Sequence, residues 1–197
     1  MAKTALLLGA SGLVGSHCLQ LLLANDNYQR VITWLRRPLP RQHPKLQQQI
    51  IAFDELPAGA AALREVDEIF CCLGTTIKQA GSQAAFRRVD FTYPVEIARL
   101  AVQQLGLPSL QILRPSLLLG QRAEFRLGER LGSAVFGLLS FAFIGPLRRY
   151  RGIAAADVAA AMIAIAQSGR TGVNVYESEQ LQAIAAGKGR WANGGAW

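Results

Sequence analysis

The stretch that decides the fold runs from Lys3 to Ser16 and reads KTALLLGASGLVGS. Its apolar first half is typical of a buried strand and stops at a glycine. Three glycines follow one another at three-residue spacing, at Gly9, Gly12 and Gly15. A helical pattern of apolar residues begins directly after the second of them. The stretch therefore predicts a strand, a tight turn and a helix, in that order.

The predicted turn has the features that a pyrophosphate group requires. A phosphate needs the free N–H groups and the positive dipole end of a helix N-terminus. It also needs a backbone without Cβ atoms in the way. Gly9 permits the turn, Gly12 permits contact with the pyrophosphate, and Gly15 lets the helix pack on the strand. The pattern predicts a dinucleotide-binding site, and the alternative is a strand–helix turn that merely favours glycine.

Size and composition indicate a globular protein with one core. The chain has 197 residues, and 51% of them are hydrophobic, which is enough for one domain and excludes disorder over most of the length. We expect a single domain over residues 1–186, with substrate-side segments at about 120–152. A loose tail is expected over residues 187–197.

The charge is basic, with Lys+Arg 21 against Asp+Glu 13 and a formal net charge of +8. Arginine suits planar, bidentate contacts with phosphate groups. The arginines are scattered or stand in short pairs, without a long basic block or a basic–aromatic run. We therefore expect a phosphate-containing small ligand and no nucleic acid as a partner.

The three cysteines, Cys18, Cys71 and Cys72, do not form a disulfide framework, because their number is odd and two are adjacent. This usage indicates a reducing compartment, and the chain enters its first strand without a signal peptide, so we expect a cytoplasmic protein. The apolar segment 131–143 reaches only about 20 Å as a helix, against the ~30 Å of a bilayer core. It predicts a buried helix or a dimer contact, and no membrane span.

The order of the elements predicts an α/β fold. After the first strand and helix, strands are predicted over 30–35, 49–53, 68–73, 110–113 and 173–176, and helices over 83–105, 129–143, 155–167 and 177–186. The strands lack strict polar alternation, which is typical of a parallel sheet buried on both faces. We predict a doubly wound, mostly parallel sheet (a Rossmann fold) with helices on both faces and a small C-terminal substrate-side region.

The cofactor should lie across the carboxyl ends of the strands. The second strand ends at Arg36 and Arg37, where an acidic residue would favour NAD. Two guanidinium groups suit a 2′-phosphate, so NADP (NADPH) is preferred and NAD is kept as an alternative. The pair could also be a solvated basic strand end.

The next two strand ends also carry candidate residues. Asp54 could accept a hydrogen bond from the adenine amino group or cap a following helix, and both interpretations stay open. The fourth strand is followed by Leu73, Gly74 and Thr75. Gly74 allows close backbone approach and Thr75 could reach a ribose or a phosphate, although Gly-Thr also closes strands for local reasons.

Several segments resemble atypical short-chain dehydrogenases/reductases: LGASGLVG at 8–15, RRP at 36–38, CLGTT at 72–76, VD at 89–90 and RPS at 114–116. The resemblance is strongest to the Tat-interacting-protein-like and NmrA-like NAD(P)H-binding oxidoreductases and covers residues 4 to about 186. It implies that Ser11, Gly12, Leu13 and Val14 line the pyrophosphate, that Arg36 and Arg37 hold the 2′-phosphate, that Leu73, Gly74 and Thr75 line the ribose side, and that Leu118 and Arg126 add further cofactor contacts.

One departure from this family concerns catalysis. Its members usually carry a Tyr-x-x-x-Lys pair, but the residues four positions after Tyr28, Tyr93, Tyr150 and Tyr176 are Ile32, Ile97, Ala154 and Gln180. Compared with these family members, the chain lacks a strand–helix unit of roughly 30 residues before the strand at 110–113. The tyrosine of this pair is the family's general acid, and a positioned general acid typically increases a reaction rate ~10²–10⁴-fold. Tyr150, between two arginines, is a conceivable substitute.

Three interpretations follow. The chain is an NADPH-dependent oxidoreductase acting on an unknown small-molecule substrate, a non-catalytic NADPH-binding regulatory or sensor protein with a protein partner, or a rearranged product with a compromised fold. The residues favour cofactor binding over turnover, and no catalytic residue or metal site is predicted.

Overall fold

The computed structural model describes residues 2–54, 63–106, 109–119 and 152–187. The contacts divide the chain into two units, residues 1–110 and residues 111–197, and each is described by itself. The predicted helix over 129–143, the substrate-side segments at 120–151 and Arg126 lie outside the described residues, as does the tail beyond Gly187. The single domain over 1–186 stays a prediction.

The first unit contains a four-stranded sheet in the order β3-β2-β1-β4. All its pairings are parallel. Four of the six residues of β1 are fully shielded from solvent: Ala5 and the three consecutive leucines at positions 6–8. A strand that is buried on both faces explains the continuous apolar run in the sequence. The strands are β1 (Lys3–Leu8), β2 (Tyr28–Leu35), β3 (Leu46–Ile50) and β4 (Glu68–Cys71).

The third strand begins three residues earlier than the predicted 49–53. It consists largely of glutamines, which a search for apolar runs passes over. Trp34 Nε1 of β2 donates a hydrogen bond to Gln49 Oε1 at 2.9 Å, and Gln48 bonds to the backbone of Leu39. The glutamines therefore hold β3 through side-chain hydrogen bonds as well as through the parallel ladder.

The helices of the first unit are α1 (Leu13–Ala24), α2 (Ile77–Ala80), α3 (Gln83–Arg87) and α4 (Tyr93–Leu105). The helix predicted over 83–105 is interrupted by a π-helical turn, Arg88–Thr92, in which the Tyr93 N–H donates to the carbonyl of Arg88. Pro94 follows at once and has no N–H to donate, so the regular α-helical bonding is broken here. A π turn therefore interrupts the predicted helix immediately before Pro94.

The core of this unit lies on the face of the sheet that α4 covers. Leu6, Leu8, Ile32 and Trp34 pack there with Ile97 of α4. Successive strand residues point to opposite faces, and α1 contacts β1 and β2. The predicted α/β fold with a doubly wound parallel sheet and helices on both faces is confirmed.

The second unit contains most of β5 (Ser109–Arg114), which neighbours β8 (Gly172–Glu177), and the short parallel pair β6 (Leu118–Leu119) and β7 (Ile153–Ala154). Helices α5 (Ala155–Gln167) and α6 (Ser178–Ala185) complete it. The sequence predicted the bounds of α5, and it did not predict β6 and β7.

Candidate functional site

The turn after β1 depends on Gly9. Its φ of 77° lies in the left-handed region that glycine adopts without strain. A Cβ at this position would lie 2.4 Å from the carbonyl oxygen of Cys72, just after β4. The Gly12 N–H donates to the Gly9 carbonyl at 2.9 Å and closes the turn. Gly9 is therefore required by its own conformation and by the approach of the β4 end.

Gly15 brings the first turn of α1 against this bend. A Cβ on Gly15 would lie 2.0 Å from the Gly9 carbonyl oxygen and 3.1 Å from the Cα of Ala10. Both neighbours are backbone atoms that cannot rotate away. The close packing of helix on strand, which the glycine spacing predicted, is a property of this structure.

The N-terminus of α1 faces outward from the turn without a side-chain cap. Gly12 is the N-cap residue, no side chain bonds to it, and the first turn carries no acidic residue. The first N–H groups of a helix have no acceptor within the helix. Ser11 and Gly12 are exposed, and Leu13 and Val14 are half-buried. A Cβ on Gly12 would meet only two carbonyl oxygens, at 3.2 and 3.9 Å, so the bare backbone and dipole fit an anion such as a pyrophosphate.

Arg36 and Arg37 follow Leu35, the last residue of β2, and both are exposed. Among the described residues, no acidic side chain forms an ion pair with either guanidinium. In a parallel sheet the carboxyl ends of β1 and β2 lie on one edge, which places this pair beside the glycine turn. The arrangement leaves both guanidinium groups available to a phosphate.

The loop after β4 is fixed by a carboxylate. Asp90 Oδ2 accepts a hydrogen bond from the Thr75 N–H at 2.9 Å, and a Cβ on Gly74 would still be 3.7 Å from Asp90 Oδ1. The side chain of Leu73 packs against the core of the first unit. The π turn presents Asp90 to this loop. Asp90 was missed as a candidate site residue, although its VD dipeptide belongs to the resemblance and Pro94 signals the irregular turn.

Asp54 lies in an open cleft of about 310 Å³ that Arg87, Arg88, Tyr93 and three further residues line. Its Oδ1 accepts a hydrogen bond from the Tyr93 hydroxyl at 2.6 Å and one from Arg88 at 3.3 Å. Burial, and then the bond to Asp54, raises the pKa of Tyr93, which keeps the phenol a donor. The sequence did not predict these two partners, and neither interpretation of Asp54 is tested, since residues 55–62 are not described.

None of the three cysteines forms a disulfide; Cys18 lies in α1, Cys71 is the last residue of β4 and Cys72 follows it. Burial raises the pKa of the Cys71 thiol to about 11. A hydrogen bond with Cys18, and then burial, raises the pKa of Cys72. The thiols of Cys71 and Cys72 therefore stay protonated near neutral pH.

The described part of the chain holds neither a metal-binding cluster nor a membrane-spanning helix. No group of three or more His, Cys, Asp or Glu side chains there could hold a metal ion. None of its helices has the length and the apolar character that crossing a membrane requires. Of the last two candidate residues, Leu118 is in β6, where it pairs with Ile153, and Arg126 is outside the described residues.

The comparisons with curated proteins found relatives by sequence, although no protein-family model matches the chain. Protein HTATIP2 of Rattus norvegicus is 30% identical over 174 residues, which span 70% of this chain and 72% of that protein. Protein FMP52, mitochondrial, of Coccidioides immitis (strain RS) is 34% identical over 113 residues, 51% of this chain and 46% of that protein.

Solved structures show the same fold at low sequence identity. The Bordetella bronchiseptica enzyme WbmF, in complex with NAD+, matches with a TM-score of 0.61 and 14% identity over 94% of this chain and 77% of that chain. A short chain dehydrogenase from Burkholderia cenocepacia J2315, in complex with NADP, matches with a TM-score of 0.55 and 16% identity over 94% of this chain and 92% of that chain.

The alignment with HTATIP2 also bears on the departure from the family pattern. The alignment runs over 174 residues, yet it covers only 70% of the 197 residues of this chain. It must therefore contain gaps in this chain. Parts of HTATIP2 therefore have no counterpart in this chain, as expected if this chain lacks a strand–helix unit. The resemblance is confirmed, and the chain belongs to the HTATIP2 family, an atypical short-chain dehydrogenase/reductase-like family with a Rossmann fold.

Proposed function

We propose that this protein binds a nicotinamide dinucleotide at the turn between β1 and α1, and that it prefers NADPH to NADH. The observation that carries the proposal is the uncapped N-terminus of α1 behind Gly9 and Gly12. Two exposed arginines follow the neighbouring strand. Solved structures with this fold hold NAD+ or NADP, which supports the cofactor class.

Each group of candidate residues at the carboxyl ends of the strands has a role in this proposal. The backbone of residues 11–14 binds the pyrophosphate, and Arg36 and Arg37 bind the 2′-phosphate. Asp90 holds the loop of Leu73, Gly74 and Thr75 on the ribose side. Leu118, Arg126 and the adenine contact of Asp54 are part of the same proposal. When bound, the dinucleotide supplies a hydride.

The membership of the HTATIP2 family favours an NADPH-dependent oxidoreductase that acts on a small carbonyl or quinone. A second candidate is a non-catalytic protein whose NADPH occupancy regulates a protein partner. The sequence favours the second, because no tyrosine is followed by a lysine at the family's spacing. We further propose a cytoplasmic location, since three cysteines without a disulfide suit a reducing compartment.

The binding proposal is tested by fluorescence titration of the purified chain with NADPH and NADH. Arg36→Ala and Arg37→Ala should each weaken NADPH binding by about tenfold, because a charge-assisted phosphate contact is lost. NADH binding should change little. Arg64→Ala, which removes an exposed arginine elsewhere in the same unit, is the matched control. An equal loss for NADH and NADPH would contradict the assignment of the 2′-phosphate.

A second experiment separates the two candidate functions. The protein that binds NADPH is incubated with a panel of aldehydes, ketones and quinones, and NADPH absorbance is followed. Oxidation with any of them supports the oxidoreductase. Tight binding with no oxidation across the panel supports the regulatory protein, and failure to bind either nucleotide contradicts both.

A further inference from the structure

One side chain of β3 holds the backbone of the segment that follows β2. Gln48 Oε1 accepts a hydrogen bond from the Leu39 N–H at 2.7 Å, and Gln48 Nε2 donates to the Leu39 carbonyl at 3.2 Å. The same nitrogen donates to the Arg41 carbonyl at 2.9 Å. The oxygen and the nitrogen of a single amide group are therefore both bound to the backbone of one loop.

This loop, residues 36–41, reads RRPLPR and carries three exposed arginines and no acidic residue. We call it the arginine loop. The rings of Pro38 and Pro40 fix φ at two of its six positions, so few backbone torsions are left free. Just before the loop, the Leu35 carbonyl accepts a hydrogen bond from the Ile51 N–H at 2.9 Å. The backbone is thus anchored on both sides of Arg36 and Arg37.

The neighbouring glutamine on β3 has a different partner. Gln49 accepts a hydrogen bond from Trp34 Nε1, and Trp34 belongs to the core on the face of the sheet that α4 covers. Side chains of successive strand residues point to opposite faces. Gln48, which lies opposite Thr33 in the parallel ladder, therefore points to the other face. One glutamine supports the core, and the other supports the arginine loop.

The anchoring bears on how a phosphate would bind to this loop. A loop that becomes ordered only when its ligand binds loses affinity, because the ordering costs free energy. Leu39 is two residues after Arg37, and its N–H and carbonyl are both bound to Gln48. The backbone that carries Arg36 and Arg37 is therefore restricted before any ligand arrives.

We propose that Gln48 is a positioning residue that sets the preference for NADPH over NADH, because it holds the arginine loop at the end of β2. The inference rests on the proposed function, in which Arg36 and Arg37 bind the 2′-phosphate. Gln48 acts on the nucleotide only through this loop. NADH has no 2′-phosphate, so its affinity does not depend on Gln48.

Titration of Gln48→Ala with NADPH and NADH, followed by fluorescence, tests the inference. The NADPH affinity should fall about fivefold, because the loop must then be ordered on binding, and the NADH affinity should not change. Gln49→Ala is the matched control on the same strand. It loses the hydrogen bond from Trp34 and should lower the stability to urea, but it should leave the ratio of the two affinities as in the wild type.

Gln48→Glu keeps the size of the side chain, so it keeps the test decisive if Gln48→Ala is marginally stable. Its carboxylate still accepts from the Leu39 N–H but cannot donate to the carbonyls of Leu39 and Arg41. The NADPH affinity should fall in this variant too. If both Gln48 variants bind NADPH as the wild type does, the inference is overturned.

A double-mutant cycle shows whether Gln48 acts through the arginines. In a chain that already carries Arg36→Ala and Arg37→Ala, adding Gln48→Ala should not lower the NADPH affinity further. A further fall as large as in the wild type overturns the inference, and so do equal losses for NADPH and NADH in Gln48→Ala alone.

The same titrations separate this inference from the proposed function. A wild-type chain that does not prefer NADPH overturns both. A wild-type chain whose preference for NADPH is lost in Arg36→Ala but kept in Gln48→Ala overturns the role of Gln48 alone.

Discussion

Two turns meet at the same edge of the sheet, one after β1 and one after β4, and they are built in opposite ways. The first has its shape because side chains are absent: a Cβ at Gly9 or Gly15 would come within 2.4 Å of a carbonyl oxygen. The second has its shape because a carboxylate is present, that of Asp90 on the Thr75 N–H. The first should tolerate no added methyl group, and the second should tolerate a methyl group but not the loss of its acceptor.

Gly15→Ala should have the largest effect. Alanine normally stabilises a helix interior relative to glycine by about 0.5–1 kcal/mol. Here its Cβ would lie 2.0 Å from the Gly9 carbonyl oxygen, and overpacking against rigid backbone costs about 3 kcal/mol or more. Urea denaturation measures the free energy of unfolding, and dinucleotide titration measures the accompanying loss of binding. A stable variant with normal affinity would show that α1 can move away from the turn after β1 without cost.

A rise in pH tests the end of β4, on which both turns depend. Burial raises the pKa of Cys71 from 9.0 to about 11, so between these values the folded chain holds a proton that the unfolded chain has lost. Stability is complete below about pH 9 and falls as the pH rises to about 11. At ~1.4 kcal/mol per pKa unit the fall over these two units is on the order of 3 kcal/mol.

Urea denaturation at several pH values across this window measures the fall. Cys71→Ala removes the thiol and should reduce the slope. An identical slope in the variant would assign the alkaline loss of stability to other groups, such as Tyr28, whose pKa is raised by burial and by its bond to Glu68.

Asp90→Ala should have a moderate effect, because the Thr75 N–H loses its acceptor. Hydrogen bonds to charged groups contribute about 1.5–3 kcal/mol, and an exposed one contributes less, so we expect about 1 kcal/mol in stability. The dinucleotide affinity should fall as the loop loses its fixed shape. Asp90→Asn keeps an acceptor oxygen and should recover most of both quantities. Equal losses in the two variants would show that the negative charge, and not the acceptor, fixes the loop.

Gly74→Ala should have the smallest effect. The nearest atom to its Cβ is Asp90 Oδ1 at 3.7 Å, an ordinary contact, and Gly74 is not among the glycines with positive φ. We expect a change in the free energy of unfolding within about 0.5 kcal/mol. The same substitution at Gly15 is its counterpart, so the pair measures the difference between the two turns directly. A large loss at Gly74 would mean that both turns depend on missing side chains.

The sequence predicted the parts of the fold that follow from apolar periodicity and from glycine. Local residue patterns predicted the strand, turn and helix at the N-terminus. They also predicted helix α5. Strand β3 was misplaced because glutamines, not apolar residues, hold it to β2. The short strands β6 and β7 are only two residues long, too short for any periodicity to predict them.

The candidate site shows the same limit. Glycine spacing signals the turn after β1 because its requirement is steric and local. The partners of Asp54 and Thr75 come from 34 to 39 and from 15 residues further along the chain. No local pattern encodes such distant hydrogen bonds. Asp90, Arg88 and Tyr93 therefore became visible only once the π turn placed them at the strand ends.

The π turn at Arg88–Thr92 links two features that look separate. It sets the direction of Asp90, which reaches the β4 loop, and of Phe91, whose ring packs against the Arg87 guanidinium at 4.8 Å. Deleting one residue here would restore regular helical bonding and rotate the preceding residues by about 100° relative to α4. The carboxylate and the aromatic ring would both lose their neighbours in a single step. A deletion in this short segment should therefore disturb the structure more than the single substitution Asp90→Ala, which removes one hydrogen bond.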